Sequence, residues 1–260
     1  MKIRNWRQFA RYVRSKGCNL LAELDNFPNA VLVTGCQRSG TTMVSRVIFQ
    51  SEGMVNYWSG KDDELDAALI LSGNLGRDLP EGRYCFQTTY LNECYREYYE
   101  HQGIFRMIWV LRNPYSVINS MLYNWSSFAL NELFDACGAQ FLSDVERARY
   151  ERFGRIMINP AKRASLAYHG KLMQLFELYE KIGKDLYIVD YDDLVQNKTA
   201  ILRKIYSFID HPFKEAYAEP ISVRSLSKAN KLPDRVRRII DQHALPVYQD
   251  ALCLLRNQSF

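Results

Sequence analysis

The chain has 260 residues, of which 47% are hydrophobic, and 34 basic against 29 acidic side chains give it a net charge of +5. This length and apolar content fit one domain, or one domain with an appendage, and provide enough apolar side chains for a sizeable core. The charge excess favours anionic ligands but is too small to indicate nucleic acid as a partner.

Long apolar segments and cysteine clusters are both missing from the sequence. No apolar run approaches the roughly 18 residues of a membrane-spanning helix, and the first residues lack the apolar stretch and the cleavage site of a signal peptide. The six cysteines are scattered and form no metal-binding pattern with histidine. We therefore expect reduced thiols, a cytoplasmic location, no transmembrane segment and no metal.

Residues 1–28 are predicted to form a basic N-terminal helix, ahead of one domain over residues 29–260. Trp6, Phe9 and Val13 share a face of this helix, and several arginines lie elsewhere on it. Two interpretations are open, since the helix could cap the domain or make a weak contact with a membrane surface or a partner.

A strand, a glycine-bounded loop and a helix are predicted next. Residues 30–34 are apolar, residues 35–42 read Gly-Cys-Gln-Arg-Ser-Gly-Thr-Thr, and an apolar helical pattern follows to residue 52. Backbone N–H groups at the start of such a helix form a cradle for phosphate. The glycine spacing matches a P-loop, but Thr41 takes the position of its lysine and Arg38 supplies the cation. This displacement predicts phosphate binding without the usual triphosphate chemistry.

The rest of the chain alternates between helical and extended patterns. The predicted elements are a helix opening at 61–64, a strand or extended segment at 84–91, a buried strand at 106–111, helices at 116–123 and 165–182, a strand at 186–189 and a helix around 201–209. Residues 124–160 are predicted as helical and loop material over the site. The alternation predicts an α/β fold of three layers, P-loop-like, with a central parallel sheet in a single domain.

Arg112 follows the predicted strand at 106–111 and suggests a second anion site. In an open parallel sheet, ligands bind beyond the carboxyl ends of the strands, which is where Arg38 and Arg112 would both lie. Ser120 comes two helical turns after Arg112, and a guanidinium with a hydroxyl suits a phosphate. Two cradles predict a nucleotide with phosphates at both ends of its ribose.

These residues give the chain a resemblance to the sulfotransferases that use 3′-phosphoadenosine 5′-phosphosulfate (PAPS), in order over about residues 30–230. The 5′-phosphate loop of those enzymes ends in Lys/Arg-x-Gly-Thr-Thr, like residues 38–42. Their 3′-phosphate motif pairs an arginine with a serine eight residues on, like Arg112 and Ser120. Residues 188–195 and 225–228 are similar to a Tyr-Glu-x-Leu segment and a Leu-Ser-Lys stretch of the tyrosylprotein-type enzymes.

The resemblance implies a reaction and a set of binding residues. A sulfuryl group would pass from PAPS to a hydroxyl or amine of an acceptor, leaving adenosine 3′,5′-bisphosphate (PAP), with no metal required. Arg38 would stabilise charge on the bridging oxygen and the leaving phosphate, whereas Tyr191 could also be just a packed aromatic side chain. The cofactor-binding residues implied are Arg38, Ser39, Gly40, Thr41, Thr42, Arg112, Ser120, Tyr191, Ser227 and Lys228.

A general base is also needed, and the resemblance implies a carboxylate. Soluble small-molecule members use a histidine before the 3′ motif, but Thr89 stands at its position. Other branches use a carboxylate about 20 to 30 residues beyond the basic residue of the loop, a window that here holds Asp62, Asp63 and Glu64. We expect Glu64, and after it Asp63, to be the base, although this acidic cluster could simply cap its helix.

Other functions stay open at the level of sequence. A P-loop kinase or NTPase would bind ATP with Mg²⁺, and a non-catalytic protein would bind PAP or PAPS without turnover. The acceptor is not specified: a small molecule, a lipid, a sugar or a peptide would fit. Cys36 in the loop could have a thiol of lowered pKa or be an inert buried cysteine.

Overall fold

The structure, a computed structural model, describes residues 3–13, 19–58, 62–75, 78–221 and 232–258. Its centre is a sheet of four parallel strands in the order β2–β1–β3–β4. The strands are β1 (Ala30–Gly35), β2 (Cys85–Gln87), β3 (Phe105–Leu111) and β4 (Leu186–Asp190). All residues of β1 and β2 are buried, which requires cover on both faces of the sheet and explains their apolar sequences.

Helices flank this sheet and account for most of the remaining described residues. Their bounds are α1 (Trp6–Tyr12), α2 (Thr41–Phe49), α3 (Asp63–Leu71), α4 (Pro114–Tyr123), α5 (Ser127–Leu133), α6 (Asp144–Phe153), α7 (Pro160–Ile182), α8 (Tyr191–Gln196), α9 (Lys198–Phe208), α10 (Asp234–His243) and α11 (Leu245–Asn257). Within the described ranges, no helix has the length and apolar content needed to cross a membrane.

The architecture confirms the predicted α/β fold with a central parallel sheet. Each predicted strand is present, and the segment at 84–91 contains only the three-residue strand β2. The segment 124–160, predicted as helical and loop material, contains α5, a π-helical turn (Phe134–Gly138) and α6. The Ser143–Glu146 capping box fixes the start of α6.

The N-terminal region differs from the single helix predicted over residues 1–28. Among the described residues of this region, helix α1 covers Trp6–Tyr12. Residues 20–23 form turns, in which Leu20 and Leu21 are buried, and lead into a short 3₁₀ helix (Leu24–Asn26). The apolar face of α1 packs inside the protein, since Phe9 is 1% exposed. This packing favours the capping interpretation of the helix over a membrane contact.

All four strands run in the same direction, so their carboxyl ends meet at one edge of the sheet. The parallel register pairs Gly35 at the end of β1 with Val110 on β3, and Leu111 with Asp190 at the end of β4. The segments that follow these strands therefore converge, as expected for a ligand site in an open parallel sheet.

Candidate functional site

A cleft of about 1180 Å³ lies at the carboxyl edge of the sheet. It is lined by loop 36–40 and the start of α2, by residues from α3 and α4, by the segment after β2, and by α1 and α5. Small-molecule pockets usually measure roughly 300–1,000 Å³. The cleft therefore has room for a nucleotide and a second ligand beside it.

The loop between β1 and α2 has the form of an anion cradle. Gly40 is the N-cap of α2 at φ +103°, and α2 begins without a side-chain cap hydrogen bond. Its first N–H groups can therefore serve an external anion. Ser39 is fully buried, and its Oγ has no hydrogen-bond partner among the described residues. Both features fit a bound phosphate.

The two predicted phosphate motifs meet in the structure. Arg38 Nε donates to Ser120 Oγ over 3.0 Å, and Arg112 Nη1 donates to the Arg38 carbonyl over 3.3 Å. Burial, and next the charge of Arg112, lowers the pKa of the Arg38 guanidinium. Two neighbouring guanidiniums at one end of a cleft favour a multiply charged anion between them.

Tyr191 is both packed and central to this arrangement. It opens α8 directly after β4, and the Arg112 guanidinium lies over its ring, 4.4 Å from the centroid. A Cβ atom on Gly40 would come within 2.1 Å of Tyr191 Cε2. The tyrosine therefore holds the cradle loop against the second arginine. Ser227 and Lys228, the other two residues expected to bind cofactor, lie outside the described residues.

Glu64 faces the segment after β2. Its carboxylate accepts hydrogen bonds from Thr89 Oγ1 and, over 3.3 Å, from Gln87 Nε2. Burial raises the pKa of Glu64 to about 8, and the hydrogen bond from Thr89 opposes that rise. Thr89 is the residue at the histidine position of the small-molecule enzymes, so a carboxylate with a raised pKa occupies the space beside that position.

The other two carboxylates of the acidic cluster have structural partners. Asp62 caps α3 by accepting from the Leu65 N–H over 3.0 Å. Asp63, 4% exposed, accepts from Arg46 Nε over 2.8 Å and does not line the cleft. Asp62 therefore caps α3 and also lines the cleft beside Glu64, whereas Asp63 does not line it.

Sequence reasoning missed two glutamines that join the parts of the site. Gln37 Nε2, in the cradle loop, donates to the Thr89 carbonyl over 2.9 Å and to Asn92 Oδ1 over 2.8 Å. Gln87 Nε2 also donates to Thr41 Oγ1 over 3.1 Å. The role of such an amide cannot be predicted from the sequence, because its hydrogen-bond partners are distant along the chain.

Cys36 is buried, and none of the histidines lines the cleft. Cys36 is 2% exposed, and burial raises the pKa of its thiol, which favours the second of the two expectations for this residue. All four histidines lie in described segments and none of them lines the cleft. Among the described residues, no group of three or more His, Cys, Asp or Glu side chains could hold a metal ion.

In comparisons with known proteins, the chain resembles solved structures but matches no family model or curated sequence. The sulfotransferase domain from the curacin biosynthetic pathway has a TM-score of 0.52 at 13% identity, covering 89% of this chain and 99% of its own. Mouse sulfotransferase SULT7A1, solved in complex with PAP, has a TM-score of 0.53 at 15% identity, covering 92% and 93%.

A third solved structure, a sulfotransferase from Alicyclobacillus acidocaldarius, has a TM-score of 0.52 at 13% identity, with 89% of this chain and 97% of that chain covered. All three alignments extend over nearly the whole of the compared chain, so the likeness is not limited to a common P-loop. The chain has the fold of the sulfotransferases.

Proposed function

We propose that the protein is a PAPS-dependent sulfotransferase, which transfers a sulfuryl group to a hydroxyl or amine of an acceptor. The observation that carries this proposal is the contact between Arg38 and Ser120, 3.0 Å from Nε to Oγ, which joins the 5′ and 3′ phosphate motifs at one end of the cleft. A mononucleotide with one phosphate site would not need both motifs. The sulfotransferase fold supports the same reading.

The residues present fit a bisphosphorylated nucleotide. The uncapped start of α2 with Ser39, Gly40, Thr41 and Thr42 would hold the 5′-phosphate, and Arg112 with Ser120 would hold the 3′-phosphate. When bound, PAPS supplies the sulfuryl group and leaves as PAP. Arg38, which lies between the two sites, is placed to neutralise charge as it develops on the 5′ side.

Glu64 is our candidate for the general base, ahead of Asp63. Its carboxylate lines the cleft, whereas that of Asp63 is committed to Arg46. A base with a pKa near 8 is well matched to removing a proton from an acceptor near neutral pH. Thr89 and Gln87 fix the orientation of the carboxylate, which is what proton transfer at a defined atom requires.

The acceptor is bound, in this proposal, in the part of the cleft away from the arginine pair. Trp58, Trp125 and Phe128 line the cleft together with polar side chains. A small molecule, a lipid, a sugar or a peptide all stay compatible with these walls. The cytoplasmic location expected from the sequence stays a prediction.

Isothermal titration of the purified protein with PAP, AMP and ATP–Mg²⁺ tests the proposal. We expect micromolar binding of PAP, much weaker binding of AMP, and loss of the preference for PAP in Arg112→Ala. Lys214→Ala is the control, because Lys214 lies in an exposed ion pair with Glu52 and neither residue lines the cleft.

Two outcomes would contradict the proposal in different ways. Tight binding of ATP–Mg²⁺ with no preference for a 3′-phosphate would move the chain to the kinases and NTPases. Retained PAP binding with no transfer from PAPS to a broad panel of alcohols, phenols and amines would indicate a non-catalytic PAP-binding protein.

A further inference from the structure

Helix α1 contributes to the cleft although it precedes the sulfotransferase motifs by some thirty residues of chain. Trp6, Arg7, Phe9 and Ala10 from this helix line the cleft. The rings of Trp6 and Phe9 lie with centroids 5.9 and 6.0 Å from that of Tyr90, the residue directly after Thr89. Helix α1 is therefore packed against the segment after β2, in which Thr89 donates a hydrogen bond to Glu64.

Trp6 also makes a polar contact that links α1 to α3. Its indole Nε1 donates to Asp62 Oδ2 over 2.9 Å, while Asp62 Oδ1 accepts from the Leu65 N–H over 3.0 Å. One carboxylate thus serves as the N-cap of α3 and as the acceptor for a side chain 56 positions earlier. The position of the first turn of α3 depends on both bonds.

Glu64 lies in that first turn. Thr89 and Gln87 donate hydrogen bonds to its carboxylate. Besides burial, the charges of Asp62 and Asp63 raise the pKa of Glu64, and the charge of Lys171, buried in α7, lowers it. Because Thr89 belongs to the segment after β2 and not to α3, a shift of the first turn of α3 would separate its hydroxyl from Glu64. The geometry of the candidate base is therefore set from α1 as well as from the sheet.

We propose that α1 is a wall of the acceptor site and that Trp6 is a positioning residue, which holds the first turn of α3 so that Glu64 faces the cleft. This inference rests on the function proposed above. It assigns a role in the active site to the N-terminal segment, in place of a simple cap on the domain.

Trp6→Phe tests the positioning role, because it keeps an aromatic ring against Phe9 and Tyr90 but removes the N–H that Asp62 accepts. Two measurements on the full chain without ligands report on α3: amide hydrogen exchange at Leu65, and the titration of the Glu64 carboxyl by ¹³C NMR. Arg4→Gln, an exposed change two residues before the same helix, is the matched control.

In Trp6→Phe we expect faster exchange at Leu65 and a Glu64 pKa lowered toward its ordinary value, since a loosened first turn admits water. With PAPS and 2-naphthol as a planar probe acceptor, kcat should fall about tenfold, the loss of one hydrogen bond to a charged group. Trp6→Ala should in addition raise KM for 2-naphthol, because it removes the wall. The Kd for PAP should stay within about twofold in all variants.

Unchanged exchange at Leu65 and an unchanged Glu64 titration in Trp6→Phe would overturn the positioning role. If Trp6→Phe does not fold, Trp6→Leu, whose side chain has no hydrogen-bond donor, is measured in the same two experiments. An unchanged KM for 2-naphthol in Trp6→Ala would overturn the wall. Failure of the wild-type protein to bind PAP would overturn the proposed function instead. Hydrogen exchange at Leu65 and the titration of Glu64 are measured without PAP, so they test the positioning role of Trp6 independently of that function.

Discussion

Gly40 has two separate reasons to be glycine. Its φ of +103° lies in the left-handed region, and a Cβ would come within 2.1 Å of the Tyr191 ring. A side chain here would push apart the cradle loop and the tyrosine that Arg112 covers. The residue thus joins local backbone geometry to the contact between the two phosphate sites.

Gly40→Ala is expected to weaken PAP binding at least tenfold and to lower the free energy of unfolding by about 2 kcal/mol or more, the combined effect of backbone strain and overpacking. Titration calorimetry and urea unfolding measure the two effects. Gly103→Ala is the control, since Gly103 has φ +82° but no atom within 4 Å of the added Cβ. Equal effects of the two substitutions would argue against a special role for the Tyr191 contact.

Glu64→Gln keeps the size and hydrogen-bonding shape of the side chain but removes its ability to take a proton. We expect turnover to fall by about 10²-fold or more with an unchanged Kd for PAP. In the wild-type protein, kcat/KM should rise with pH through about 8, because the carboxyl must be deprotonated to act as a base. Asp63→Asn with similar loss of turnover but normal folding would shift the role to Asp63.

The raised pKa of Glu64 also has a consequence for stability. Between its ordinary pKa near 4.5 and the folded value of about 8, the folded protein holds a proton that the unfolded chain releases. The stability of the wild-type protein should therefore fall, relative to Glu64→Gln, as the pH rises through this interval, and the difference should level off above pH 8. Urea unfolding of both proteins between pH 5 and 9 measures this, and parallel curves would contradict the burial of Glu64.

At the scale of elements, the strands and helices that a local sequence pattern determines were predictable from the sequence. The apolar runs of β1, β3 and β4 and the glycine-bounded loop were sufficient for the sheet and the cradle. The span of α1 and the partners of Gln37, Gln87 and Trp6 were not predictable, because these side chains act on residues tens of positions away. For the general base, the sequence favoured Glu64 and after it Asp63, a choice that stays a prediction. The contacts that distinguish the two, Arg46 with Asp63 and Thr89 with Glu64, were not predictable from the sequence.

Strand β2 is short and lies at an edge of the sheet, where it pairs with β1 alone. Arg83, just before β2, adds hydrogen bonds that connect this strand to other elements. Its guanidinium donates to the carbonyls of Asn29, Ile209 and Asp210, which joins the start of β1 and the end of α9. The last carbonyls of a helix lack internal partners, so a guanidinium there satisfies them.

Arg83→Gln should lower the free energy of unfolding by about 1–3 kcal/mol, because carbonyl groups would lose charged donors. Arg203→Gln is the control: its exposed ion pair with Glu215 should contribute less than about 1 kcal/mol. Urea unfolding of both variants gives the comparison, and equal losses would mean that Arg83 behaves as an ordinary surface arginine.

At the scale of the whole molecule, the cleft is lined by residues that follow all four strands and by residues of several helices. Loop 36–40 follows β1, Thr89 follows β2, Arg112 follows β3 and Tyr191 follows β4, and residues of α1 and α3 also line the cleft. A ligand that spans the two guanidiniums would therefore bind to residues that follow β1 and β3, next to Tyr191 after β4. Such a ligand should stabilise the whole domain and not a single loop.

PAP at a free concentration 100 times its Kd should stabilise the folded protein by about 2.7 kcal/mol, a rise of roughly 5–10 °C in Tm for a chain of this size. AMP at the same concentration should give a much smaller rise, because it lacks the phosphate that would lie between Arg112 and Ser120. In Arg112→Ala the two nucleotides should become alike. Calorimetric scans of both proteins with each nucleotide provide the test. Equal shifts by PAP and AMP in the wild-type protein would mean that only one of the two cradles binds phosphate, and that the contact of Arg38 with Ser120 is structural.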